Sequence, residues 1–590
     1  MKTIKQHPTE PAKLAGGIHR EFSPWEPGGG LWRCTGAHGN TQGALRKWSG
    51  LHLENSLPVA AKVDGLFQLR QGSAYRYLAM GGGNIYKTIP NTLTGLLTQI
   101  YSGLTPHIFD VGVLNNIAYL VSGVNPNLKI DQSGIVTGMG IVAPSVAPTV
   151  ATGIAGVLSG DYQVVYTFKN SVTGFESDPS PASAVVTVLN QQINVSGIGV
   201  SSDAQVDRRR IYRTVAGSGG FTSGVFLFDS EIPNNVATTI STNLPDSQLG
   251  EAVLLDSGTP PQASFIAIFN GMVLLCGLLP PNESRVVVSG VLRGEAFNPD
   301  DVYDLDPEET DIITGIKQFG LFVAVGKRKG LFIGEGTQPD QMTFTRTRVN
   351  LGPLGQFGMI NVESDLYYLS EKGPTIFSGL SETFLGRPIQ DVYATFDLQA
   401  IQTASGIYYP ALNMVIWNVT TAGQGSPDQA IIYNIVTKEL TLRALNATVL
   451  STYLDGLGRT QFWVGDSTGK QYTGDVGFSE NGAPIPMEVV TRGIRFKGAR
   501  REDVICFRHI HTAYQANGGS APVTVSYAVD DPDAAYTVAG TFLPTTGSLV
   551  THDIAAYGNL LFVRYTVSST EPLLLYEPLA QGFVVGRRRT

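Results

Sequence analysis

The sequence has few cysteines, no long apolar run and little charge. Its three cysteines, Cys34, Cys276 and Cys506, are far apart and unpaired in spacing. They read as buried thiols of a chain made in a reducing cytoplasm, not as a disulfide framework or a metal site. No apolar stretch approaches the ~18 residues of a membrane helix, and the opening MKTIKQHPTEP lacks the apolar core of a secretory signal. No membrane insertion is expected. Charged residues make up 15% of the chain, under the usual ~25%, which suits a surface largely covered by other subunits. The formal charge of −8 gives no overall basic footprint for gripping nucleic acid. Sustained amphipathic helices are also missing; Gln390–Ala400 is the best stretch, and it is short.

Catalytic signatures are absent too. GDSTGK at Gly465–Lys470 has one residue too few between its glycines for a phosphate-cradling loop, and it sits at a hairpin turn. Neither H-E-x-x-H nor G-x-S-x-G occurs. His509 and His511 share one face of a strand, but Cys506 falls on the other and no third ligand is well spaced. The Ser-x-Asp-x-Gly-x-Thr-Trp turn of sialidases is not found. No catalytic, cofactor or metal residue is assigned, and the chain is expected not to be an enzyme.

Glycine, by contrast, is plentiful: 68 residues with no collagen-like period, which indicates many turns. The stretch Gly315–Gly336 (GIKQFGLFVAVGKRKGLFIGEG) reads as three short strands. A turn at Phe319–Gly320 and a basic turn at Gly326–Gly330 separate them. The unit recurs. Turns before the most apolar strand of each copy fall at Gly72, Asn115, Asn270, Gly320, Ser364, Asn413 and Gly456, spaced 43 to 50 apart except for one interval of 155. Such a period predicts a β-propeller of about seven to eight blades, an eighth needing strands from the termini. Stacked sandwiches are the other architecture compatible with the pattern.

The long interval implies about 110 inserted residues. At 145–255 the composition changes: a Pro-rich lead (VAPSVAPTV) precedes Tyr162, Val164, Tyr166 and Phe168 in strict alternation. Five to seven short strands there predict a fibronectin/Ig-like β-sandwich, whose close termini suit insertion. Residues 1–60, rich in Gly and Pro with Trp25, Trp32 and Trp48, read as an extended arm lying along other surfaces. Residues 61–144 and 256–480 hold the blades. Residues 481–590 read as a C-terminal β-sandwich with an Arg-rich tail, its strands including Val504–His511, Val523–Val529 and Leu573–Leu575. The predicted fold is all-β throughout.

Charge is concentrated in a few places. Asp300, Asp301, Asp304, Asp306, Glu308, Glu309 and Asp311 form an acidic stretch (DDVYDLDPEETD) without the glycine of a Ca²⁺ loop. Paired acids for glycoside hydrolysis are one reading of it; a solvated loop between blades that repels DNA phosphates is the preferred one. Arg208, Arg209 and Arg210, and the terminal Arg587, Arg588 and Arg589, read as solvated runs able to pair with a neighbour's carboxylates.

With this layout, the chain resembles the tail nozzle proteins of short-tailed bacteriophages, also called tail tubular B-like or DNA-stabilisation proteins. The resemblance is carried by FNGMVLLCG (269–277), Gly315–Gly336, FGMINVESDLYYLSEKGPTIFSGL (357–380), GDYQVVYTFKNSVTGFESDPSP (160–181), RRRIYRT (208–214) and GDSTGKQYTGD (465–475). It implies a homo-oligomer, a hexameric ring at the distal end of the tail. That ring would join a tail adaptor ring, anchor fibres or spikes, and surround a lumen through which DNA passes without sequence-specific binding. The setting would be the virion, assembled in the host cytoplasm. The acidic stretch is then expected at the lumen or its mouth, and the arginine runs between neighbours. Two other classes fit the layout: a carbohydrate-binding or carbohydrate-cleaving tail protein contacting host surface glycans, and an unrelated β-propeller scaffold.

Overall fold

The computed structural model describes all residues except 1–6, 9–13, 15, 21–29, 41–42, 72–73, 90, 309, 380, 497–498, 501, 517, 546–547 and 588–590, and the side chains of 7, 8, 71, 548 and 587. Seven four-stranded antiparallel units follow one another around an axis, each starting with its innermost strand. These inner strands are Val63–Gln71, Asp110–Leu114, Ala263–Phe269, Ile313–Phe319, Ile360–Val362, Gly406–Tyr409 and Val449–Leu454. The first six blades take four consecutive strands each. The seventh takes three, and Leu51–Ser56 from the N-terminal region pairs with Lys470–Gly474 as its fourth. The molecule is therefore a seven-bladed propeller closed by an early strand, and the described residues form no eighth blade.

The spaced turns are the hairpins joining the first and second strands of each blade. Asn115, Asn270, Gly320 and Asn413 all take positive φ, between 47° and 53°. Asn and Gly tolerate that left-handed conformation where most side chains do not. Gly72 itself lies outside the described residues, between two strands paired as a hairpin.

The insert emerges between blades two and three. Thr149–Tyr162, Val186–Ser196 and Ile240–Thr242 form one of its sheets; Val164–Lys169, Arg208–Arg213 and Leu227–Ile232 form the other. Tyr162, Val164, Tyr166, Ile193 and Ile211 fill the space between them. A buried ion pair marks where the insert leaves the propeller. Lys129 of blade two and Glu295 of blade three meet at 2.5 Å, and Glu295 also accepts the Gly140 N–H at 2.8 Å.

The C-terminal region is a second sandwich. Asp503–Ala516 anchors one sheet, between Ser548–Gly558 and Leu579–Arg587. Ala483–Thr491, Leu561–Ser569, Val523–Val529 and Thr537–Phe542 form the other. Their buried side chains, among them Val489, Phe507 and Val563, run into the same apolar cluster as Tyr367 and Trp417 of blades five and six.

The N-terminal stretch corrects the expectation of an arm along other surfaces. Leu31–Thr35 pairs with Ala483–Thr491, and the hairpin Ala37–Gly39/Leu45–Lys47 extends the C-terminal sheet beside Leu573–Leu575. It is woven into this chain because those strands need edge partners. Trp32 and Trp48 are buried there; Trp25 is outside the described residues. At Gln390 the predicted helix is a single turn, Gln390–Tyr393.

Candidate functional site at the propeller axis

Polar and small residues of the inner strands, among them Asp64, Gly65, Asp110, Gly406 and Ser451, line the axis beside apolar ones such as Leu66 and Val449. A cavity of about 190 Å³ lies there, lined by Asp64, Phe67, Asp110, Lys317, Gln356 and Ser451 among others. Lys317, Met359 and Ser451 also line a wider vestibule of about 440 Å³, which reaches Tyr408 and Thr460. Ile108 and Phe357 line both the axial cavity and a separate chamber of about 200 Å³, so they stand between the two. Cavity and vestibule together form a polar funnel.

Asp110 opens the inner strand of blade two and is held from three directions. Its carboxylate accepts the Ile266 N–H of blade three at 2.9 Å, its own neighbour Val111 N–H at 3.1 Å, and Gln356 Nε2 at 2.7 Å. Gln356 is 1% exposed. Its carboxamide also clasps the backbone of Ile316 in blade four, accepting the N–H at 2.6 Å and donating to the carbonyl at 2.9 Å. A Cβ on Gly315 would lie 2.7 Å from Gln356 Oε1, so glycine there makes room for the clasp. Polar pins recur around the ring: Thr448 Oγ1 donates to Val63 O at 2.7 Å, joining blade seven to blade one. Ser405 Oγ accepts the Leu450 N–H at 2.8 Å.

Burial pushes the Asp110 carboxyl up to about 6, against the opposing pull of Lys317 and the three donors. Asp64, which opens the inner strand of blade one, is also raised by burial, with Lys62 and His107 acting the other way. Lys62 is its ion-pair partner at 3.8 Å. Two buried carboxyls lining a polar funnel can accept hydrogen bonds from hydroxyl groups. At mildly acidic pH Asp110 can also carry a proton to donate.

The residues singled out from composition lie elsewhere. The acidic stretch runs along the outermost strand of blade three and the link back to blade four, away from the axis. There its members meet the basic turn of the next blade. Asp304 pairs with Arg285 at 2.7 Å and Asp306 with Arg346 at 2.7 Å. Lys327 Nζ donates to the Asp306 carbonyl at 3.1 Å, and the Lys329 N–H to Asp311 at 2.9 Å. Asp301 is buried and its carboxyl raised by desolvation. Asp300 and Glu308 are exposed; Glu309 lies outside the described residues. Three of the six described carboxylates of the acidic stretch, Asp304, Asp306 and Asp311, are thus paired within the chain.

The arginine run needs a sharper correction. Arg209 is fully buried and donates to the carbonyls of Gly199, Asn234 and Ala237, so it cannot reach a neighbour. Arg210 pairs with Glu176 at 3.0 Å and with Glu251 at 2.5 Å, and stacks 3.9 Å over the Phe228 ring. Arg208 stands 3.9 Å from Glu231 and remains half-exposed. Arg587 lies on the last strand opposite Asp503; Arg588 and Arg589 are outside the described residues.

Sequence reasoning passed over Asp64, Asp110, Lys317 and Gln356. A signal was there: VDG at 63–65 and DVG at 110–112 each put an Asp and a Gly near the start of an inner strand. Among the described residues no group of His, Cys, Asp or Glu is arranged to hold a metal ion. The GDSTGK turn is a hairpin whose Thr468 and Lys470 N–H groups are taken by Asp466, at 2.8 and 2.9 Å.

No family model matches the sequence, and no curated protein matches it. Similar solved structures include an exo-β-1,3-galactanase from Phanerochaete chrysosporium, 10% identical, covering 90% of this chain and 100% of its own, at a TM-score of 0.16. Another is a glycoside hydrolase, 9% identical, covering 73% and 97% at a TM-score of 0.14. A third is PorZ, a surface component of the type-IX secretion system of Porphyromonas gingivalis, 11% identical, covering 77% and 65% at 0.13. Scores this low say nothing of substrate. Glycoside hydrolases stand among these structures, and the expectation that the chain is not an enzyme is withdrawn.

Proposed function

We propose that this chain is a structural subunit of the tail nozzle of a short-tailed bacteriophage, a ring that guides DNA out and anchors other tail parts. The observation that carries this reading is where apolar surface is left uncovered. Of the 35 large apolar side chains exposed among the described residues, 13 belong to residues 142–255, in and around the insert. They include Ile154, Leu189, Phe221 and Leu255, each more than 70% exposed. Apolar surface gathered in one region is what a partner chain would cover. In such a ring the DNA path would run between subunits. A formal −8 on each chain would leave that path acidic, letting phosphates slide. Negative-stain imaging of purified protein tests the reading. Six-fold rings that also capture a portal adaptor are expected; a monodisperse monomer that ignores the adaptor would overturn it.

A second reading, engagement or cleavage of host surface glycans, is favoured by one feature, the axial funnel with Asp64 and Asp110 at its base. Binding on a glycan array, or shortening of host lipopolysaccharide on incubation, is the expected outcome. Neither occurring would remove it.

A further inference from the structure

The size of the axial cavity restricts what could enter it. This inference rests on the glycan reading and asks which part of a glycan the site would take. The inner cavity, about 190 Å³, is below the ~300 Å³ at which drug-sized ligand sites begin. It has room for one ring-sized unit and not for a longer stretch of polymer.

The lining is mixed in the way a sugar requires. Asp64 is buried, and its nearest ionic partner is Lys62 at 3.8 Å, longer than a hydrogen bond. Its carboxylate thus retains acceptor capacity toward the cavity. Asp110 accepts three N–H bonds out of about four lone-pair sites. Ser451 adds a hydroxyl at the neck, while Leu66, Phe67 and Met359 supply apolar wall. A pyranose offers the complement: hydroxyl donors around its rim and apolar C–H faces. Above the neck the vestibule widens to about 440 Å³ beside Tyr408 and Asn361, enough for the next units of a chain to lie outside.

We propose that the funnel binds the terminal monosaccharide unit of a glycan, with the carboxylate of Asp64 receiving its hydroxyls and the rest of the chain held in the vestibule. Internal units of a long glycan cannot reach the base.

Saturation-transfer NMR on the full chain, with methyl glycosides of galactose, glucose, mannose and rhamnose at millimolar concentration, tests this. At least one should show transfer, weakened tenfold or more in Asp64→Asn and abolished in Ser451→Trp, which fills the neck. Both variants are to match the wild type in circular dichroism. Capping the terminal unit of a binding oligosaccharide should also abolish the signal. Glycan-array binding that persists undiminished in Ser451→Trp would overturn the funnel assignment while leaving the glycan reading intact. Absence of binding by wild type in both assays would overturn both.

Discussion

The Gln356 carboxamide and the Asp110 carboxylate, 246 positions apart in sequence, meet at 2.7 Å on the propeller axis. With Ile266 and Ile316 on the same network, one pair of side chains ties blades two, three and four together. Gln356→Leu keeps the bulk but deprives Asp110 of a donor and leaves the Ile316 N–H and carbonyl unmatched. At about 1–3 kcal/mol per unsatisfied buried group, the loss should be about 2–4 kcal/mol. A lower urea midpoint for the propeller transition is the expected result; an unchanged midpoint would show that the clasp is idle.

Asp110 also sets a pH dependence. Its carboxyl is raised to about 6 in the folded chain by burial, against about 3.9 when unfolded. Between those values the folded state keeps a proton that the unfolded state has released. The contribution of this group to stability therefore falls as pH rises from about 4 to about 6, and is level above that. Asp110→Asn removes the titration. Urea midpoints at pH 4, 5, 6 and 7 should differ between variant and wild type by an amount that changes by about 1–3 kcal/mol across the window. Parallel profiles would refute the assignment.

The Lys129–Glu295 pair sits where the insert leaves the blades, with both side chains at 3% exposure or less. Lys129→Met alone strands a buried carboxylate and should cost about 3–5 kcal/mol. Adding Glu295→Leu should recover part of that, since only the Gly140 N–H then lacks its acceptor. Thermal scans of the two variants check the order; a double variant less stable than the single would contradict it.

Arg209 and Arg208 are neighbours with opposite expected behaviour. Arg209→Ala takes donors from three carbonyls inside the insert and should destabilise it by about 2–4 kcal/mol. Arg208→Ala, with its ion pairs at 3.9 Å, should change stability by about 0.5 kcal/mol or less. Limited proteolysis within 142–255 reads both; equal susceptibility would argue against the burial of Arg209.

The blade count was legible because each first hairpin needs a left-handed residue, and Asn115, Asn270, Gly320 and Asn413 announce it locally. The insert showed itself through its interruption of that rhythm. Other features depended on distant pairings that local composition does not encode. Asp304 and Asp306 look like free charge until Arg285 and Arg346 are brought beside them by strand register. The axial carboxyls escaped notice for the converse reason: Asp64 and Asp110 are single residues in apolar strands, and only closure of the ring gathers them. The N-terminal stretch read as an arm because Gly and Pro hide strands as short as Ala37–Gly39.

The early strand Leu51–Ser56 has a consequence for how the protein is made. On the ribosome it emerges more than 400 residues before its partner, Lys470–Gly474. Through most of translation the nascent chain therefore carries an unsatisfied strand while six blades wait without a seventh. Closure is a late act, and nothing translated before Lys470–Gly474 can complete the circle.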